Sequence, residues 1–487
     1  MQNFEYILIL SALSCILIQK FINTKVKRHY LLGYLFLILF IHLITEGYRW
    51  QMIPTYALLG ISLFIIIKEP KKKPHIIIRT LKVIGILLLT GIGFSLPSLL
   101  PVFKLPKTTG SFSVGTQNLF LKTNRDEVIT SIKEDKRELM IKVWYPSNDK
   151  EGIKDHYIDK AGRYGFAKKY GLPNTTFNYL DKIETHVFHD ATIPKQQFPV
   201  LIFSHGYHSK ANGYYALLSE IASHGFIIFA INHTYESTGS HFPDDSMKYF
   251  NYEFAHKIEK DSWNTIEPSI KAFQQNMTFE NRHPIVRKSL TSYFVKDMIK
   301  RWAEDINSVT AKLNEYNSEG FFENRLDLNK IGVFGHSRGG AAAGEALLIN
   351  NKIKAGANLD GVQWGQIVDT TFQKPFLFLS SDWPEKHPNY NKHAYVNKST
   401  SYFYEAKILQ SGHSNFMDIP FMIPLQSINE SGNINPEIAI NISRNLVVTF
   451  FKKHLKAEKI DLNTLQYPEL TLEVFQNKNL RKNDQKQ

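Results

Sequence analysis

The sequence predicts an α/β protein: a mostly parallel sheet flanked by helices, behind an N-terminal all-α domain of four transmembrane helices. Three observations carry this expectation. Four apolar runs open the chain, at roughly 4–22, 30–45, 52–67 and 83–102. From about residue 104 short apolar strands alternate with amphipathic helices, the pattern of a parallel sheet covered on both faces. A glycine-rich turn, Gly335-His336-Ser337-Arg338-Gly339-Gly340, then stands between an apolar strand and a helix of small residues. With 487 residues the chain exceeds one ordinary core. The expected division is a membrane domain at 1–103, a catalytic α/β domain at 104–476 and a polar tail at 477–487.

The fourth run is long enough to span a bilayer, and the second and third sit near the lower limit of about 17 residues. Short connectors join the runs, and charge segregates between them. The first connector holds Lys20, Lys25, Lys27 and Arg28; the third holds Lys68, Lys71, Lys72, Lys73, Arg79 and Lys82; the second has only Arg49 beside Glu46. Basic connectors stay in the cytoplasm, so both termini and the large C-terminal domain are expected on the outer side of a cell membrane. A lipoprotein signal at Ser11-Ala12-Leu13-Ser14-Cys15 fits less well, because no basic residue precedes it and further apolar runs follow.

The formal charge of +13 does not point to nucleic acid. Residues 1–100 hold 11 Lys/Arg against 3 Glu, leaving 47 basic and 42 acidic residues over the other 387. That is an ordinary solvated surface without a basic stripe interleaved with aromatics. Cys15 is the single cysteine, which excludes an intramolecular disulfide and a cysteine-based zinc site. There is no H-E-x-x-H, and no cofactor or metal is expected.

Within the soluble part, 112–121 and 128–145 read as early strands, the latter a hairpin folded at Glu134-Asp135-Lys136-Arg137. A strand at 199–204, a helix at about 211–224 and a strand at 226–232 follow. Segment 233–285, rich in Phe, Tyr and Trp, shows no clear strand and reads as a cap-like insertion. A helical stripe covers 286–316 (Val286, Leu290, Phe294, Met298, Trp302, Ile306, Val309, Leu313). Strand 330–335, helix 340–350, strands 353–359, 375–380 and 402–409, and a closing helix at 436–455 complete the order.

Strand, glycine turn and small-residue helix form the context of a nucleophile elbow, and with it the α/β-hydrolase fold. The turn is too tight for side chains two positions before and after the serine. Ser337 is the candidate nucleophile, at a helix start whose positive end favours developing negative charge. A serine hydroxyl needs a base. His413 follows the late strand 402–409 and meets the fold's chain order of Ser, acid, His; His387 and His393 lie in a polar loop, and His336 is the elbow's spacer. Asp360 and Asp382 each end a strand, and the pattern does not choose between them. The oxyanion hole needs two backbone N–H groups. Arg338 supplies one, and Tyr207, in Phe203-Ser204-His205-Gly206-Tyr207, the other.

These residues resemble the plasma-type (secreted) platelet-activating factor acetylhydrolase family of serine esterases, from about 105 to 456. The carriers are Thr109-Gly110-Ser111-Phe112-Ser113-Val114-Gly115, Val143-Trp144-Tyr145-Pro146, Phe203-Ser204-His205-Gly206 and Ala222-Ser223-His224-Gly225-Phe226-Ile227. The elbow, Leu359-Asp360 and Gly412-His413-x-x-Phe416 complete the set. The resemblance implies Asp360 as the acid. It also implies hydrolysis of short-acyl esters, including the sn-2 acetyl or oxidised acyl group of phospholipids, without metal. Two departures stand out: Arg338 occupies a position that is usually apolar, and the membrane domain is absent from secreted members. The expected activity is thus that of a membrane-anchored serine ester hydrolase working by an acyl-enzyme beside a lipid bilayer. An acyltransferase using the same triad and a non-catalytic receptor on the same scaffold are the alternatives.

Overall fold

The computed structural model describes residues 1–18, 25–68, 75–259, 262–364, 372–384, 387–398 and 401–475. The chain forms two compact units. The first joins Met1–Lys104 with Phe421–Asn429; the second runs from Leu105 to Pro420 and resumes at Glu430.

The first unit is helical. Helix α1 (Asn3–Ile18) is followed by α2 (Lys25–Thr45), a single 3-10 turn at Trp50–Met52, α3 (Ile53–Ile67) and α4 (Ile76–Leu99). Three stretches, Lys27–Thr45, Trp50–Ile67 and Ile76–Leu99, are long and apolar enough to cross a membrane. The described part of α1 has 16 residues and falls short of that length, and its expected continuation to residue 22 lies outside the described residues. The helices pack through Leu8, Ile9, Ala12, Leu35, Leu58 and Leu59. They turn Phe40, Leu87 and Leu88 outward, each at least 60% exposed, as lipid-facing surface would be. At one end Arg49 is buried. Its Nη2 donates to Glu5 Oε2 at 2.6 Å and its Nη1 to the Leu100 carbonyl at 2.7 Å. The start of α1 is thereby tied to the residue that follows α4, and the only basic residue of the second connector is neutralised.

The second unit is built on a ten-stranded sheet. Its strands are β1 (Ser113–Asp126), β2 (Lys136–Ser147), β3 (Val187–His189), β4 (Phe198–Ser204) and β5 (Ile227–Asn232). After the hairpin strands β6 (Gly239–His241) and β7 (Met247–Tyr249) come β8 (Leu326–His336), β9 (Ile353–Leu359), β10 (Phe376–Ser380), β11 (Phe403–Ile408) and β12 (Leu470–Phe475). The order is β12-β11-β10-β9-β8-β4-β5-β2-β1-β3, with β6 and β7 forming a separate ribbon. The six strands from β11 to β5 are mutually parallel. Every residue of β4, β5 and β10 is buried, which explains their continuous apolar runs: both faces are covered. In chain order the remaining helices are α5 (Lys160–Lys169), α6 (Tyr215–Ser223), α7 (Tyr252–Ile258), α8 (Ser262–Gln274), α9 (Phe279–Ser292), α10 (Val295–Ser318), α11 (Arg338–Ile349), α12 (Tyr390–Lys398), the short α13 (Ile419–Met422), α14 (Gln426–Asn429), which is counted with the first unit, and α15 (Pro436–Leu455). Helix α15 keeps its expected limits because its ends are marked. Asn435 accepts from the Glu437 N–H, Pro436 opens the first turn, and Lys452, Lys453 and His454 close the last.

Several expected elements differ. The hairpin is not contained in 128–145: β1 runs on to Asp126 and pairs antiparallel with β2, so the turn occupies 127–135. The stripe over 286–316 belongs to two helices, because Tyr293 is extended (φ −71°, ψ 135°) and breaks the run. Val286 and Leu290 before the break and Met298 and Trp302 after it still enter one core, so the apolar spacing survives. The cap-like segment 233–285 does contain strands, β6 and β7, besides α7, α8 and the start of α9. Strand β11 is not the last, since β12 adds an antiparallel edge beyond α15. The polar tail 477–487 lies outside the described residues.

Candidate active site

The central strand β8 delivers Ser337 to the sheet's carboxyl edge, and α11 begins at the next residue. Ser337 has φ 55° and ψ −126°, a conformation that costs an ordinary residue roughly 1–3 kcal/mol. Its N–H donates to the Leu359 carbonyl at 2.8 Å, which ties the turn to the end of β9. A Cβ on Gly335 would collide with the Gly339 carbonyl, and one on Gly339 with the Ser204 carbonyl. The glycines two before and two after the serine are thus required by close backbone approach.

Asp360 follows β9 and is 4% exposed. Its Oδ2 lies 2.6 Å from His413 Nδ1, and its Oδ1 accepts from the Ser381 N–H at 2.7 Å. Burial alone would raise this carboxyl, but the hydrogen bond and charge of His413 hold it below the usual carboxylate range. Burial likewise disfavours the His413 cation, and Asp360 overcomes that to raise the imidazole above its ordinary value. The His413 side chain is 41% exposed. It opens a 3-10 turn whose Asn415 Oδ1 accepts from the N–H groups of Gly412 (2.8 Å) and Gly432 (2.9 Å). Asp382 is exposed and accepts from the Gln410 N–H at 2.8 Å. It tethers the loop that carries His413, whereas Asp360 meets the imidazole itself. His387 rests on Trp383 (ring centroids 4.3 Å apart), and His393 lies 3.1 Å from His283.

His336 does more than space the elbow. Its ring lies 4.5 Å from that of His413, its Nε2 is 3.1 Å from the His413 carbonyl, and its Nδ1 is 2.8 Å from the Tyr214 hydroxyl. Burial pushes this imidazole down to about 3, so it is neutral, with Nε2–H donating and Nδ1 accepting. The Tyr214 hydroxyl in turn accepts from the Gly206 N–H at 2.9 Å. One buried chain therefore connects the His413 loop to the loop after β4. That loop passes close to the serine: a Cβ on Gly206 would lie 3.4 Å from Ser337 Cβ. Gly206 N–H is engaged, while among the described residues no hydrogen bond occupies the N–H of Tyr207 or of Arg338. The Arg338 guanidinium carbon lies 4.0 Å from the centre of the Tyr207 ring.

A second serine–histidine–aspartate chain escaped the sequence reading. Ser204 Oγ lies 2.8 Å from His233 Nε2, and His233 Nδ1 lies 2.8 Å from Asp305 Oδ2. All three are fully buried, and His233 is stacked on Trp302 at 3.9 Å. Arg137 donates to Asp305 at 2.7 Å; burial opposes the carboxylate, but Arg137 and His233 depress its pKa strongly. This chain is sealed from solvent. It holds the end of β4, and the His233 N–H donates to His205 in the next loop at 3.1 Å. The legible signal was a histidine, His233, directly after the apolar strand β5; burial, which decides its role, is not written in the motif. An open cavity of about 810 Å³, lined by Lys142, Lys210 and Phe242 among others, contains none of the residues around Ser337.

Known proteins resemble the chain over most of its length. The model of the family described as platelet-activating factor acetylhydrolase, isoform II, matches residues 99–468. The platelet-activating factor acetylhydrolase of Canis lupus familiaris is 26% identical over 378 residues, 73% of this chain and 78% of its own. That of Bos taurus is 26% identical over 376 residues, with the same coverage. Among solved structures, a ferulic acid esterase from Streptomyces cinnamoneus superposes with a TM-score of 0.60 at 22% identity, covering 76% of this chain and 99% of its own. That likeness shows the α/β-hydrolase fold.

Proposed function

Because the chain belongs to the platelet-activating factor acetylhydrolase, isoform II, family and is therefore a carboxylic ester hydrolase, we propose that it is a membrane-anchored serine esterase acting through Ser337, His413 and Asp360. The observation that carries the reading is the 2.6 Å bond between Asp360 and the partly exposed His413, with Ser337 held in an elbow whose N–H is bonded to Leu359, the residue before Asp360. His413 takes the proton from Ser337 as its oxygen attacks the ester carbonyl. Asp360 fixes the imidazole's tautomer and stabilises the imidazolium that forms. The N–H groups of Tyr207 and Arg338 receive the oxyanion, His413 returns the proton to the leaving alcohol, and water releases the acid from the acyl-enzyme.

The substrate class is short-acyl esters of the phospholipid type. It rests on the acetylhydrolase relatives and on the apolar N-terminal helices, which would hold the catalytic unit at a lipid surface and raise the local substrate concentration. The charge pattern of the connectors supports an orientation with the catalytic unit outside the cytoplasm. The test uses the full-length chain in detergent or liposomes. Short-acyl aryl esters, sn-2-acetyl phospholipids and long-acyl phospholipids are offered to wild type and Ser337→Ala, with and without an acceptor alcohol. Release of free acid from the short-acyl substrates, abolished by Ser337→Ala, is expected. Acyl transfer to the alcohol in place of acid release would make the protein a transferase. Hydrolysis that survives Ser337→Ala would overturn the proposal.

A further inference from the structure

Arg338 carries a cation beside the nucleophile, and its neighbours do not neutralise it. Among the described residues no carboxylate forms an ion pair with it. Its contacts are the Tyr207 ring, the Phe294 ring at 5.7 Å and the Met298 sulfur, 3.5 Å from Nη1. The buried carboxylates of this region are committed elsewhere, and Glu259, whose charge acts on Tyr207, is exposed to solvent. Glu236 accepts from Arg301 Nε at 3.1 Å and from Trp302 Nε1 at 2.7 Å; Asp305 is held by Arg137 and His233; Asp360 faces His413. Arg338 is half-buried, so aromatic and thioether groups replace part of its water. A guanidinium lying over a ring leaves the N–H groups not turned to Met298 available to carboxylate or phosphate oxygens. The contact also joins the side chains of the two residues whose N–H groups are assigned to the oxyanion, and Arg338 directly follows Ser337 in the chain.

We propose that Arg338 recognises an anionic group on the ester bound at Ser337, so that the enzyme prefers substrates carrying a carboxylate or phosphate a short chain away from the scissile carbonyl. This rests on the assignment of Ser337 as nucleophile. The anion can belong to the acyl part or to the alcohol part, and the two arms of the test separate them.

The test uses the full-length chain in neutral detergent with matched pairs of aryl esters. In one arm 4-nitrophenyl valerate is compared with the 4-nitrophenyl half-ester of glutaric acid. In the other, phenyl acetate is compared with 4-carboxyphenyl acetate. Each kcat/KM is divided by the rate of the same ester with hydroxide, which removes intrinsic reactivity. Wild type is expected to favour the anionic member of at least one pair by about tenfold or more, the scale of a charge-assisted hydrogen bond. The preference should shrink with added salt, vanish in Arg338→Met and persist in Arg338→Lys; Arg338→Gln replaces the methionine variant if that does not fold. A wild type without preference overturns the inference, as does a preference that survives loss of the cation. Fluorophosphonate labelling of Ser337 in the same samples separates the two levels. Labelled enzyme without preference removes only this inference, whereas absence of labelling removes the proposed site as well.

Discussion

At the scale of single residues, the pairing of Asp360 with His413 has two measurable consequences. Asp360→Asn should leave the chain folded and lower kcat by about 10⁴-fold, because the imidazole is then held in the wrong tautomer; steady-state hydrolysis of an aryl ester measures it. The pH profile follows from the sign of the His413 shift. The base works unprotonated, and Asp360 raises its pKa above the ordinary 6.5. The acid limb of kcat/KM is therefore expected to inflect above pH 6.5, and Asp360→Asn should move it to lower pH. An inflection unmoved by that substitution would contradict the pairing. The turn at Ser337 and the loop of His413 were legible as local structure because a strand–glycine turn–helix and a glycine–histidine loop leave local marks. Asp360 and Asp382 were not separable, since both end strands and only the register of β9 and β10 against the His413 loop distinguishes them. The part played by His336 was out of reach for the same reason: its partners, Tyr214 and His413, lie 122 and 77 residues away in sequence.

Among the elements, the strands of the sheet were legible where burial on both faces wrote a continuous apolar run, as in β4, β5 and β10. Misreadings fell where an element's end depends on geometry without a local marker. The break between α9 and α10 leaves the apolar spacing intact, and the hairpin turn 127–135 carries apolar residues such as Ile129. The chain Ser204–His233–Asp305–Arg137 links β2, β4, β5 and α10, and it supports the loop next to Ser337. Asp305→Ala would leave Arg137 buried beside fewer carboxylates, since Glu127 at 2.9 Å is a remaining partner. A loss of about 3–5 kcal/mol is expected from removing one member of such a buried pair. Ser204→Ala should cost about 1 kcal/mol, the price of one neutral hydrogen bond. Denaturant unfolding of the full-length chain in detergent checks both, and equal stability of Asp305→Ala and wild type would contradict the network.

For the whole molecule, the proposed anchoring places the apolar N-terminal helices in a membrane and the second unit, with its balanced charge, in water. The sequence marked that division by composition, but the number of crossings depends on α1, whose described length is short for a span. The chain is expected to stay in the membrane pellet after an alkaline carbonate wash and to leave it only with detergent. The orientation is tested by protease added to intact cells: the catalytic unit should be cleaved from outside, and protection until the membrane is permeabilised would reverse the topology.

The account depends most on Ser337 being the activated nucleophile. The direct measurement is reaction of the full-length protein with a fluorophosphonate, followed by mass mapping of the adduct. The expected result is one stoichiometric adduct on the peptide containing Ser337, absent in Ser337→Ala and strongly slowed in Asp360→Asn. An unlabelled protein, or a label that persists in Ser337→Ala, would contradict it.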